Sequence, residues 1–160
     1  MAATPLTPTL RYYVTGTRRT YWLPACANYL APTRAELNAG TDLTAEINAM
    51  TGWSIASAMV DTPDMGSRFT TQIPGALTSA SNDITFYTSS NSNDVRSLLL
   101  RDLSGFIVLL WEGDVAGLKM DVFPVRITTQ AMDTTITNPG MVTVSFAASR
   151  VPATNLIIPA

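Results

Sequence analysis

The groups in this 160-residue sequence whose type suits catalysis are carboxylates: Asp61 and Asp64 around Pro63, Glu112 and Asp114 around Gly113, and Asp121. In pairs they could do general acid and base work, and in a cluster they could hold a hard cation through oxygen. Acidic residues in Gly- and Pro-bearing turns are, however, ordinarily solvated caps. The sequence contains no histidine, which closes off the common Ser-His-Asp triads and imidazole zinc sites. Cys26 is its single cysteine, so neither an internal disulfide nor a thiolate metal cage can form. The expectation is a buried thiol in a chain that folds in a reducing cytosol, with no catalytic residues, no metal and no cofactor.

Tyr12, Tyr13, Tyr21, Trp22, Trp53 and Trp111 could build a stacking platform for sugars or single strands, although such rings more often belong to cores and interfaces. A monomeric β-sandwich module that binds carbohydrate or another ligand, on a virion or cell-surface assembly, is therefore the alternative to a building block. The state in solution separates the two. Arg18 and Arg19 are adjacent, and on a strand their side chains point to opposite faces, which reads as a surface pair. The basic residues are nearly all arginine, Lys119 excepted. Interfaces favour arginine for its planar fork, and GC-rich coding produces the same bias.

Only 14% of the residues are charged, against about 25% in ordinary soluble domains. With 46% hydrophobic residues and a mean hydropathy of +0.17, a chain of this length buries roughly 70% of its unfolded surface and has little charge to keep the rest in water. A subunit that hides its outside against copies of itself resolves the conflict. The net charge of −2 and pI near 4.9 give no basic footprint for tight nucleic-acid or membrane binding. Met1–Leu10 lacks the charged and apolar regions of a signal peptide. Phe106–Trp111, the longest apolar run, is too short to span a bilayer.

The elements that would position these residues are mostly strands. Residues 1–9, with Pro5 and Pro8, read as an extended arm. Leu10–Val14 and Thr20–Leu23 flank Gly16 as a hairpin. Thr33 and Glu36 form a capping box for a short helix ended by Gly40, and Asp42–Ile47, whose apolar positions four apart also suit a helix, reads as extended by its local alternation. Trp53–Val60 alternates as a strand with one firmly buried face. Asp61–Ala80 is long enough to be functional or ordered by a partner; Arg68–Ile73 can pair within it, giving a protruding hairpin. Asp83–Thr88 turns Ile84 and Phe86 inward. Asn93 caps a helix over Asp94–Leu103 whose face Val95, Leu98, Leu99 and Leu103 packs on the sheet. Phe106–Trp111 is a strand covered on both sides, Leu118–Thr128 carries an edge or bulge at Pro124, and Met141–Ser149 alternates again. Residues 151–160 form an apolar tail with nothing of its own to bury it. The expected fold is mainly β, a β-sandwich or partly open barrel with one flanking α-helix, in a single domain over 1–160.

The run Pro32-Thr33-Arg34-Ala35-Glu36-Leu37, then Gly40-Thr41-Asp42-Leu43, Thr51-Gly52-Trp53, Phe69, Ile73-Pro74-Gly75 and Asp121-Val122-Phe123-Pro124-Val125, resembles the tail tube (major tail) proteins of long non-contractile-tailed phages of actinobacteria. The order of elements is similar to the wider tail tube family, which includes the tube of type VI secretion. The resemblance implies a structural virion protein of the tail, made in the host cytoplasm. Its hexameric rings stack into a hollow tube that DNA transits without tight binding. It implies tape measure and tail terminator proteins as partners, and no membrane. It also places ring or subunit contacts in the long segment and the termini, at Arg68, Phe69, Ile73, Pro74, Leu156, Ile157 and Ile158. A strap at Leu156–Ile158 would make truncation after Arg150 incompatible with normal tubes.

Overall fold

In the computed structural model, all residues except 1, 2, 4, 10, 91–94 and 138 are described. The strands are β1 (Arg19–Leu23), β2 (Thr41–Asp42), β3 (Ile47–Thr51), β4 (Ile55–Thr62), β5 (Thr71–Ser79), β6 (Asn82–Tyr87), β7 (Ser104–Leu110), β8 (Lys119–Met132), β9 (Met141–Ala148) and β10 (Ala153–Ile157). Two short helices, α1 (Arg34–Asn38) and α2 (Val95–Leu98), and a 3-10 turn at Thr44–Glu46 complete the described elements. One antiparallel sheet has the order β2-β1-β7-β8-β9-β6-β3, with β10 also on β8, while β4 and β5 pair only with each other as a separate ribbon.

The end strands β2 and β3 are consecutive in the chain, joined through the 3-10 turn. A link this short draws the two edges toward each other and curls the sheet. Bridging contacts hold the approach: Thr20 N–H donates to Thr44 Oγ1 at 3.0 Å, Leu43 N–H to the Thr20 carbonyl at 2.9 Å. β1 and β3 do not pair, and a groove of about 310 Å³ lined by Gly16, Arg18, Thr20, Asn48 and Met50 separates them. Of the two architectures expected from the sequence, a β-sandwich or a partly open barrel, this mainly β fold with its unclosed sheet matches the second.

Alternation sorts the side chains into two cores. Trp22, Ile84, Phe86, Ile107, Leu109, Phe123, Val125, Ile127, Val142, Val144 and Phe146 fill the concave side, with Val95 and Leu99 among them. Leu23, Val108, Leu110, Met120, Val122 and Ile158 pack behind the sheet against Leu37 of α1. Because β7 feeds both cores, it reads as a continuously apolar run. The inward positions of β6 and β9 are those expected, and α1 starts with the expected capping box at Thr33 and Glu36.

Several elements differ from expectation. Residues 11–13 form no strand; the chain turns at Val14, whose carbonyl accepts from both Thr17 N and Arg18 N. β1 instead pairs with β7, remote in sequence, on one side and β2 on the other. Asp42–Ile47 is extended only at its ends, since Thr44–Glu46 makes the 3-10 turn. α2 ends at Leu98, well short of Leu103; beyond it Asp102 adopts a left-handed φ of 67° and its N–H turns to the Ile127 carbonyl of β8 at 2.9 Å, so no helix reaches Leu103. The expected cap at Asn93 lies outside the described residues.

Pro124 sits in a central strand, not at an edge. Its carbonyl accepts from Ser149 N at 2.9 Å, so its missing N–H faces the same side, where β8 changes partner from β10 to β9. The actual register shift comes later, between Ile127 and Thr129. The tail also finds cover in its own chain: β10 pairs with β8, and Ile158 is buried in the rear core.

Candidate functional site

β4 and β5 leave several large apolar side chains exposed. The outer end of their ribbon is pinned by polar groups, with Thr62 Oγ1 donating to the Thr71 carbonyl at 2.9 Å and Thr71 Oγ1 to the Thr62 carbonyl at 3.0 Å. Gln72 Nε2 donates to Asp61 Oδ1 at 2.6 Å. In the connecting loop, Asp64 Oδ1 accepts from Gly66 N, and Ser67 Oγ accepts from Phe69 N. These bonds fix the ribbon's shape without burying it.

Residues directly opposite in an antiparallel pair share a face, and neighbours along a strand alternate. Met59 lies opposite Pro74, and Val60 opposite Ile73. The ribbon therefore shows apolar side chains on both faces: Met59 is 62% exposed, Ile73 53% and Leu77 60%. Phe69, in the loop, is 75% exposed. The firmly buried face expected of Trp53–Val60 is absent because among the described residues no second layer covers β4; Trp53, buried itself, precedes the strand. The sequence reading missed Met59, Val60 and Leu77 as surface residues. At the ribbon's foot, a crevice of about 630 Å³ separates Ile55, Leu77 and Ser79 from Phe146, Arg150 and Pro152.

The structure brings Arg68, Phe69, Ile73 and Pro74 together on the ribbon and its loop, where all are exposed. Leu156, Ile157 and Ile158 belong to a different part, with Ile157 exposed, Leu156 packed against the rear core and Ile158 within it.

The candidate carboxylates do not gather: Asp61 and Asp64 lie on the ribbon and its loop, Glu112 and Asp114 in the turn between β7 and β8, and Asp121 on β8. Asp114 takes both guanidinium nitrogens of Arg34, one at 2.8 Å, and the Tyr21 hydroxyl at 2.9 Å. The Arg34 bonds hold the Asp114 carboxyl below its usual range. Burial, reinforced by Asp114, pushes the Tyr21 phenol up to about 12. Asp121 accepts from Trp111 Nε1 at 2.6 Å and Asn155 N at 2.7 Å. Among the described residues no three His, Cys, Asp or Glu groups gather as a metal cage. Cys26 is half-buried, and burial and then Glu36 raise its thiol.

The aromatic rings do not form one platform. Trp22 and Trp53 are in the concave core, Tyr13 is exposed, and Trp111 lies under the Arg18 guanidinium, 4.4 Å from its ring centroid. Arg19 points away from Arg18, toward Asp42 at 3.9 Å.

A comparison with the curated proteins finds no match. Among solved structures, the fold is similar to a chain from the virion of a native gene transfer agent particle, with 13% identity, coverage of 74% of this chain and 91% of that one, and a TM-score of 0.53. It is also similar to a chain in the sheath/tube terminator of an extracellular contractile injection system, PVC, in its extended state, with 13% identity, 90% and 99% coverage and a TM-score of 0.57. A chain of that system's sheath-tube complex gives 13% identity, 88% and 90% coverage and a TM-score of 0.52. At this identity the likeness is one of fold. The sequence itself matches the family profile described as phage tail tube protein over residues 5–160, and the chain belongs to that family.

Proposed function

We propose that this structural tail protein closes into hexameric rings that stack as the hollow tube through which phage DNA passes. The observation that carries the reading is the two-faced apolar ribbon on a member of the tail tube family. An unburied strand pair of this kind is marginal alone and an aggregation hazard, and copies of the chain lying against both faces would remove it from water. Arg68, Phe69, Ile73 and Pro74 then make contacts between subunits or rings, and Ile157 adds another on the body. Tape measure and tail terminator proteins are the further partners this reading carries, and the host cytoplasm is the place of synthesis. The net charge of −2 suits a wall that does not hold DNA by counterion release. No helix among the described residues is long and apolar enough to cross a membrane.

Negative-stain microscopy of the purified protein across a concentration series tests the proposal. Six-fold rings or tubes are the expected result. A particle that stays monomeric under every condition and saturably binds a glycan would overturn it.

A further inference from the structure

The ribbon meets the sheet through two short crossings, residues 52–54 on the way out and 80–81 on the way back. The outgoing crossing has two successive left-handed residues, Gly52 at φ 85° and Trp53 at φ 51°. A bulky aromatic residue adopts that region only where its surroundings over-determine it. Here Trp53 N donates to Asn82 Oδ1 at 2.8 Å and its indole N–H to the Asp83 carbonyl at 3.2 Å. The ring stands edge-on to Phe123, centroids 5.2 Å apart.

The returning crossing is bolted to the same point. Asn82 is fully buried, and its amide nitrogen donates to Ser79 Oγ at 3.1 Å while its oxygen holds Trp53. A Cβ on Gly52 would stand 2.1 Å from the Ser81 carbonyl oxygen, so the crossings touch backbone to backbone. Beyond this root, β4 and β5 pair only with each other.

We propose that Gly52, Trp53 and Asn82 are positioning residues that form a rigid root. The root holds the ribbon at one angle, so that a free subunit meets its neighbours with the ribbon already aimed. Its role in assembly rests on the tube reading above; its rigidity does not.

The test uses full-length protein with Cys26→Ser and spin labels at Met65→Cys on the ribbon loop and Val115→Cys on the body, at a concentration below any assembly. With the native root, one narrow distance distribution is expected. Asn82→Ala, and to a smaller degree the milder Ser79→Ala, should broaden it while circular dichroism stays unchanged. If only about a tenth of subunits then hold the aimed conformation, the concentration needed for tubes rises about tenfold. A broad distribution with the native root, or an unchanged one in a folded Asn82→Ala and in Ser79→Ala, overturns the rigid root. Broadening with an unchanged assembly threshold overturns its role in aiming. Native protein that never assembles overturns the tube reading instead.

Discussion

Ile157 and Ile158 are adjacent, chemically identical and oppositely placed, which makes them a sharp test of where folding ends and assembly begins. Ile158 is 1% exposed and Ile157 69%. Ile158 is also locked by backbone bonds, its N–H to the Leu118 carbonyl at 2.8 Å and its carbonyl from Gly117 N at 3.0 Å. Ile158→Ala removes buried hydrocarbon worth about 0.8 kcal/mol per carbon, or about 2.4 kcal/mol for the three carbons lost. Incomplete collapse of the cavity carries such substitutions toward about 5 kcal/mol. Urea unfolding at a concentration below any assembly should show this loss, and thermal unfolding a melting point lower by about 5–20 °C, at about 2–4 °C per kcal/mol. Ile157→Ala should shift monomer stability by less than about 0.5 kcal/mol but weaken tubes if its exposed face lies in a contact. Equal monomer destabilisation by both variants, or none by Ile158→Ala, would refute the division. Truncation after Arg150 is expected to fail through the fold itself, since it deletes β10 and Ile158 together.

Phe69→Asp or Ile73→Asp puts a charge on the ribbon without touching a core, so thermal unfolding should move little, within about 0.5 kcal/mol, while microscopy shows loss of tubes. Normal tubes from both variants would remove the ribbon from the assembly surface. The Asp114–Arg34–Tyr21 cluster should shape stability at both pH extremes. Asp114 has a lowered folded pKa, so its contribution is present above the unfolded value of about 3.9 and disappears as pH falls through the folded one; Asp114→Asn should flatten that acid limb in pH-dependent unfolding. Tyr21, raised to about 12, contributes below the unfolded value of about 10 and loses that contribution as pH rises through about 12. Tyr21→Phe should lack this alkaline decline.

What the sequence reveals depends on which surfaces belong to the chain alone. β6 and β9 are legible because each has one side on the core, so Ile84 and Phe86, or Val142 and Val144, alternate with polar neighbours. β4 also reads as a strand, yet Met59 and Val60 on its two faces are exposed in the subunit, and a residue pattern cannot say whether cover comes from the same chain. The protruding hairpin is legible only in part: its loop and β5 fall in the Pro- and Gly-bearing stretch expected to protrude, while β4, its other strand, is expected on the core. β1's partnership with β7 has no local signal, so Gly16 suggested a nearer mate. β10 escaped because Asn155 is left-handed at φ 59° and the register shifts between Ala153 and Leu156, which erases any period of two.

The sheet order also sets a timetable. β1 runs beside β7, Trp22 opposite Ile107 and Leu23 opposite Phe106, so a nascent chain leaving the ribosome holds Trp22 and Leu23 without their β7 partners while about eighty-five further residues are translated. At about 5–20 residues per second that wait lasts several seconds, long enough for half-made copies on one messenger to meet. Sparse charge suits the finished wall, but it leaves those unfinished chains with little electrostatic repulsion to keep them apart.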